Sequence, residues 1–278
     1  MKNRSDLLHG RVIAITGGAR GIGFATASAL RALGAKVAIG DVDEVTVKQA
    51  GVDIDVFATK LDVTDLASFS DFLDAVEGEL GPLDVLINNA GIMPVGLLTD
   101  EPDAVTRRIL DINTYGVIIG TKLAAQRMVP RGSGHVVNVA SLAGETYSPG
   151  LATYCASKYA VVGFTDAVRV ENRKTGVHFS VVLPSFVNTE LTAGTAGIRG
   201  IKNAEPADIA NAIVDLVLSP RPKVRVTWLA GALVASQKFF PRAVAEELTR
   251  LFGGEHVFTD NVDNAQRKAY EDRARGQA

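Results

Sequence analysis

The chain has 278 residues, of which 47% are hydrophobic and 22% charged, with a net charge of −2. That is enough apolar material for one large core, and near-neutrality without a basic stripe excludes nucleic acid as the main partner. A single cysteine, Cys155, excludes an internal disulfide and suits a reducing compartment.

In chain order, Met1 to Gly10 is polar and lacks an apolar centre, which argues against a secretory leader and for a cytoplasmic location. Residues 11–16 (Arg-Val-Ile-Ala-Ile-Thr) form a β-branched apolar run that predicts a buried strand. The run enters Gly17-Gly18-Ala19-Arg20-Gly21-Ile22-Gly23, then an alanine-rich helical segment stopped by Gly34. Strand, glycine turn and helix start in this order make a phosphate cradle, because backbone amides approach an anion closely there. A second strand, 36–40, ends in Asp41, whose carboxylate can accept hydrogen bonds from an adenosine ribose diol and would repel a 2′-phosphate.

Further strands are expected near 54–59, 83–88, 135–139, 177–183 and 223–229, separated by helical stretches, including a long one from about Glu101 to Met128. Strands alternating with helices imply right-handed crossovers, so the expected class is α/β: a Rossmann-like doubly wound parallel sheet of about seven strands with helices on both faces. Tyr154 and Lys158 are four residues apart, which stacks them on one helix face. An ammonium about 5 Å from a phenol, at an effective dielectric of about 20, favours phenolate by about 3 kcal/mol. The pair therefore predicts a phenol pKa lowered toward the range of acid–base catalysis.

Taken together, these segments resemble the short-chain dehydrogenase/reductase family in its common single-domain form. The resemblance rests on Gly17-x-x-x-Gly21-x-Gly23, Asp62-Val63, Asn88-Asn89-Ala90-Gly91, Asn113, Ser141, Tyr154-x-x-x-Lys158 and Pro184-Ser185-Phe186-Val187-Asn188-Thr189, over roughly residues 8 to 230. It implies a catalytic set of Asn113, Ser141, Tyr154 and Lys158. It also implies a cofactor set of Gly17, Arg20, Gly21, Ile22, Gly23, Asp41, Asp62, Val63, Asn89, Ala90, Gly91, Tyr154, Lys158, Pro184, Val187 and Thr189. Asn113 would hold a water between lysine and solvent, Asp62-Val63 would contact adenine, and Thr189 the carboxamide. The implied activity is hydride transfer between NAD and a hydrophobic alcohol or ketone of sterol, retinoid or fatty-chain type. NADP is the less favoured cofactor, although Arg20 stands where the family often meets a 2′-phosphate. Alternatives are an NADPH-dependent carbonyl reductase and a non-catalytic dinucleotide-binding protein.

One departure is Ser185, where the family has glycine; serine makes a positive φ and a close approach harder. Cys155 reads as structural, since Tyr154 must face the site and its neighbour lies about 100° around the helix. Four histidines lack ligand spacing, so no metal site is expected. Met93, Val95, Leu142, Tyr147, Phe186 and Leu191 are expected to border the substrate pocket, with glycine-rich 190–200 as either a mobile lid or a plain surface loop.

Residues 1–230 are read as the dinucleotide-binding and catalytic domain, and 231–278 as a helical extension packed on it. Within the extension, the apolar segments 231–240 and 243–252 suit packing, a homodimer or homotetramer contact, or a peripheral membrane contact. The longest apolar run, Val226 to Ala235, is about half an integral span. Mixed-charge 260–278 reads as a surface helix or frayed tail.

Overall fold

The computed structural model describes residues 4–195, 202–227, 257–260 and 262–276, with the isolated positions 231, 232, 234 and 247. The apolar segments 231–240 and 243–252 and the distal half of the 190–200 loop thus lie largely outside the described residues.

Seven strands form one sheet: β1 (Val12–Thr16), β2 (Lys36–Asp41), β3 (Phe57–Lys60), β4 (Val85–Asn88), β5 (Gly134–Val139), β6 (Val177–Pro184) and β7 (Lys223–Val226). Their order is β3-β2-β1-β4-β5-β6-β7, and every pairing is parallel. All residues of β1 and β4 are buried, as a sheet covered on both faces requires. Alternate residues divide between two cores. Ile13, Ile15, Val37, Ile39, Val85 and Ile87 face one side with α2 (Gly21–Ala32) and α8 (Pro206–Leu218). Val12, Ala14, Ala38, Leu86 and Val136 face the other with α4 (Leu66–Leu80) and α6 (Gly116–Met128). Further α-helices among the described residues are α1 (Arg4–Leu8), α3 (Glu44–Ile54), α5 (Asp103–Leu110), α7 (Ala152–Glu171) and α9 (Asn264–Arg275).

Chain order reverses between β1 and β4, opening a crevice at the carboxyl ends of these strands. A buried polar network fixes the floor beside it. Asn88 donates to Asn138 at 2.9 Å and to Thr121 at 3.2 Å, and Asn138 donates to Thr165 at 2.9 Å.

Three sequence expectations shift. The third strand starts at Phe57, because α3 runs on to Ile54 and turns through Asp55 in the left-handed region. The long helix from Glu101 is divided: Asp111–Tyr115 widens into a π turn between α5 and α6, placing Asn113 inward. The segment read as a surface helix or frayed tail is instead docked. Arg267 of α9 is 1% exposed and donates to the carbonyls of Leu191, Ala193 and Met93, each at 3.0 Å. Its neighbour Glu271 receives the Val95 N–H at 3.2 Å and ion pairs from Arg267 and Arg275, both at 2.8 Å. The mixed charge therefore closes a buried network with loop backbone rather than facing water. No helix among the described residues is long and apolar enough to cross a membrane.

Candidate active site

A cleft of about 1000 Å³ runs from the glycine turn after β1 to α9. At the cofactor end, Arg20 precedes α2 and no side chain caps the helix start, so its first amides face the cleft end of the turn. A Cβ at Gly23 would lie 2.1 Å from the Gly17 carbonyl oxygen, so only glycine lets the turn fold this tightly. The Asn89 side-chain amide donates to the carbonyls of Thr16 and Gly17 at 3.0 Å, while the Thr16 hydroxyl accepts the N–H groups of Asn89 and Ala90 at 3.0 Å. The two walls of the crevice are thereby locked together.

Asp41 ends β2 and accepts the N–H groups of Ala19 and Asp43, both at 3.2 Å. Burial raises its pKa, and these two bonds pull it back. Arg20 donates to Asp43 at 2.7 Å and to Thr46 at 2.8 Å. That pairing holds the Asp43 carboxyl down at about 2. Asp43, which also caps α3 through the Thr46 N–H at 3.1 Å, was missed in the sequence; its signal is an acidic residue directly before a helix. Asp62 lines the cleft, with one carboxylate oxygen accepting the N–H and hydroxyl of Thr64 at 2.9 and 2.7 Å. Ile22, Val63, Pro184, Val187 and Thr189 also reach the cleft wall. Ser185 does not need a positive φ: among the described non-glycine residues only Asp55 adopts one. The Ser185 hydroxyl instead accepts the Thr227 N–H at 3.3 Å.

Toward the middle, β5 delivers Ser141 and α7 delivers Tyr154 and Lys158. The Ser141 hydroxyl oxygen accepts the Ala143 N–H at 3.1 Å, leaving its proton for Tyr154. Tyr154 is 7% exposed and lies in the cleft wall. The Lys158 ammonium stands 5.6 Å from the Tyr154 ring centroid and donates to the Val139 carbonyl at 3.1 Å. The expected lowering of the phenol is reversed in this state. Burial pushes Tyr154 up to about 12, only partly offset by the Ser141 hydrogen bond, and burial lowers Lys158 to about 8. Burial penalises the charged phenolate and the charged ammonium, and this outweighs their attraction when the ammonium lies over the ring rather than at the hydroxyl.

Asn113 sits behind the cleft wall. Its side-chain oxygen accepts the Ile92 N–H at 2.8 Å, and its amide donates to the Ile92 carbonyl at 2.9 Å and to Ser157 at 3.1 Å. A Cβ at Gly91 would lie 3.3 Å from the Asn113 side-chain oxygen and 3.5 Å from the Lys158 ammonium, so the loop after β4 passes directly between them. Cys155 is buried with Met93, Leu151 and Phe258, and burial raises its pKa; it packs as a small hydrophobe.

At the far end, Met93, Leu142, Tyr147, Phe186 and Leu191 line the cleft, as expected. Val95 does not; its backbone is engaged by α9. Sequence reading missed Tyr270 and Phe258, both in the wall. The Phe258 ring stacks on Phe186 with centroids 5.4 Å apart. A helix with this much charge hides an inward-facing tyrosine from periodicity alone. Among the described residues no group of three or more His, Cys, Asp or Glu side chains could hold a metal.

A dinucleotide fits this cleft on the structure's own evidence: a glycine turn that a Cβ would close, an uncapped helix start and the Asp41 carboxylate at the end of β2 in the same cleft. Comparison with known proteins agrees. The chain is 33% identical over 258 residues to the probable oxidoreductase EphD of Mycobacterium tuberculosis, covering 84% of this chain and 44% of that protein. The chain therefore spans less than half the length of these mycobacterial relatives. It is 30% identical over 259 residues to 17-beta-hydroxysteroid dehydrogenase 13 of Rattus norvegicus, covering 89% and 85%. A solved short-chain dehydrogenase/reductase from Burkholderia phymatum in complex with NAD superposes with a TM-score of 0.77 at 25% identity, covering 84% of this chain and 94% of that one. The family profile described as short chain dehydrogenase matches residues 11–197, and with the sheet order, the glycine turn and the serine–tyrosine–lysine set in one cleft, the chain belongs to the short-chain dehydrogenase/reductase family.

Proposed function

We propose that this chain is an NAD-dependent dehydrogenase acting on a lipophilic secondary alcohol, with Tyr154 as its acid–base group. The observation that carries the reading is the convergence of Ser141, Tyr154 and Lys158 on the cleft that also contains the glycine turn and Asp41. A protein that only bound a dinucleotide would have no use for a buried lysine beside a buried phenol. When bound, NAD supplies the hydride acceptor.

The chain's own residues do the rest. Gly17 to Gly23 and the start of α2 hold the pyrophosphate, and Asp41 accepts from the adenosine ribose. Ser141 donates to Tyr154 and orients the alcohol oxygen. Tyr154 accepts the alcohol proton at its hydroxyl oxygen in the oxidation direction and returns it in reduction. Lys158 places positive charge over the face of the Tyr154 ring, held there by the Val139 carbonyl, and would hold a ribose hydroxyl when the dinucleotide is bound. Asn113, tied to Ile92 and Ser157, keeps the π turn open beside Lys158 as a route for that proton. Asp41, together with Arg20 already paired to Asp43, favours NAD over NADP. The apolar far wall favours a hydrophobic carbinol, and the steroid-dehydrogenase relative supports the same substrate class.

The test is NAD reduction, followed by its absorbance, across a panel of hydrophobic secondary alcohols at pH 7–9. Turnover of at least one, with kcat/KM for NAD above that for NADP, is expected. A preference for NADP would favour the carbonyl-reductase reading, and no turnover with intact NAD binding would favour a non-catalytic binder.

A further inference from the structure

Beyond Ser141 and Tyr154 the cleft is walled by Met93, Leu151, Phe186, Val257 and Phe258, and Tyr270 of α9 stands among them. The Met93 N–H donates to the Tyr270 hydroxyl at 2.7 Å. That bond uses a lone pair of the oxygen and leaves the proton, which meets no acceptor among the described residues. Tyr270 is half-buried and lines the cleft, so that proton is directed to whatever fills it and a ligand oxygen can take the bond. Burial raises the Tyr270 pKa, so the group stays a donor, and Tyr154 and Tyr270 line the same cleft. The two hydroxyls therefore serve one cavity. Nor is Tyr270 on a swinging side chain: the Arg267 guanidinium lies 5.3 Å from its ring centroid and is itself anchored to three loop carbonyls.

We propose that Tyr270 is the second polar anchor of the substrate site, donating a hydrogen bond to a substrate oxygen other than the one oxidised. The substrate class is then a lipophilic alcohol carrying a second acceptor oxygen (hydroxyl, carbonyl or ether), selected over an otherwise equal mono-alcohol. This rests on the dehydrogenase reading above and makes it more specific.

The probes are cyclohexanol, the 1,2-, 1,3- and 1,4-cyclohexanediols, decalin-2,6-diol with 2-decalol, and the mono-methyl ethers of the diols. For at least one spacing, wild-type kcat/KM for diol and ether alike should exceed that of the mono-alcohol by about 10–100-fold. The ether is informative because it accepts a hydrogen bond without donating one. Tyr270→Phe keeps the ring over Arg267 and should bring that ratio within about 3-fold of one. No preference for any diol, or a preference that survives Tyr270→Phe, overturns the proposal. Should the variant not fold, the wild-type ether decides: an ether that behaves as the mono-alcohol does overturns it. The same probes are titrated calorimetrically into the wild-type enzyme with NAD. Tighter diol and ether binding without turnover would sink the dehydrogenase reading and support the anchor; turnover without discrimination would do the reverse.

Discussion

Arg20 donates to the Asp43 carboxylate at 2.7 Å, so the guanidinium nearest the ribose end of the cleft is already engaged by an acid two residues beyond Asp41. A 2′-phosphate would have to displace that acid and face Asp41 as well. Replacing Asp43 by serine keeps an oxygen to cap α3 but releases Arg20 from its ion pair, leaving it only the Thr46 hydroxyl. Asp43→Ser should raise the NADP to NAD ratio of kcat/KM by about 10-fold, the worth of one charge-assisted bond. Steady-state kinetics with both cofactors checks it, and an unchanged ratio would show that Arg20 does not reach the 2′ position.

Removing the Tyr154 hydroxyl takes away the acid–base group and leaves its ring in the wall. Tyr154→Phe should lower kcat by about 10²–10⁴-fold. NAD affinity, measured by fluorescence titration, should change by less than about 3-fold, because the proposed dinucleotide contacts are spread over Gly17 to Gly23, Asp41 and the other cofactor-set residues, with the Tyr154 hydroxyl only one of them. A loss of affinity that tracks the loss of rate would mean that the tyrosine serves binding rather than chemistry.

Lys158 is a buried cation whose only hydrogen-bond acceptor among the described residues is a carbonyl, and burial lowers its pKa from 10.5 to about 8. Between about pH 8 and 10.5 the unfolded chain holds a proton that the folded chain has released, so this group makes stability rise with pH in that window. Below pH 8 the lysine is charged in both states and the full burial penalty stands. Without cofactor, Lys158→Met should therefore raise Tm at pH 7 by about 3–6 °C, and the gain should shrink by pH 9.5. Scanning calorimetry at both pH values checks it; a lower Tm at pH 7 would show that the cation is net stabilising. The variant should also lack turnover.

Arg267 joins α9 to the loop after β4 and the loop after β6 through the carbonyls of Met93, Leu191 and Ala193. Arg267→Met leaves those carbonyls without this donor, and Glu271 with only the Val95 N–H and Arg275, while preserving most of the side-chain volume. Hydrogen exchange at residues 93–95 and 191–195 should accelerate by at least about 10-fold, with β5 unchanged. Exchange that rises equally in β5 would mean global destabilisation rather than release of the loops.

The sheet and the central trio were legible because their signals are local. Apolar β-branched runs announce strands, glycines at fixed spacing announce the turn, and the spacing from Tyr154 to Lys158 places two side chains on one helix face. What escaped is what depends on distant partners. The ion pair of Arg20 with Asp43 needs the first two crossovers to be packed side by side. The burial of Arg267 depends on two loops far away in sequence, and no periodicity of a charged helix reports it. The Tyr154 pKa failed for a related reason: i to i+4 spacing fixes which side chains are neighbours, but not whether the ammonium meets the hydroxyl or the ring face, nor how dry the pair is. Ser185 was flagged by type, whereas the backbone simply did not need the left-handed conformation there.

The grip of α9 on the loops is made mostly with main chain. Arg267 and Arg275 hold carbonyls of Met93, Val95, Leu191 and Ala193, while Tyr270 and Glu271 receive the amides of Met93 and Val95. Peptide groups are the same whatever residue carries them. The side chains of those loops are thus at liberty to drift, reshaping which alcohol is accepted, while the latch that holds them stays intact.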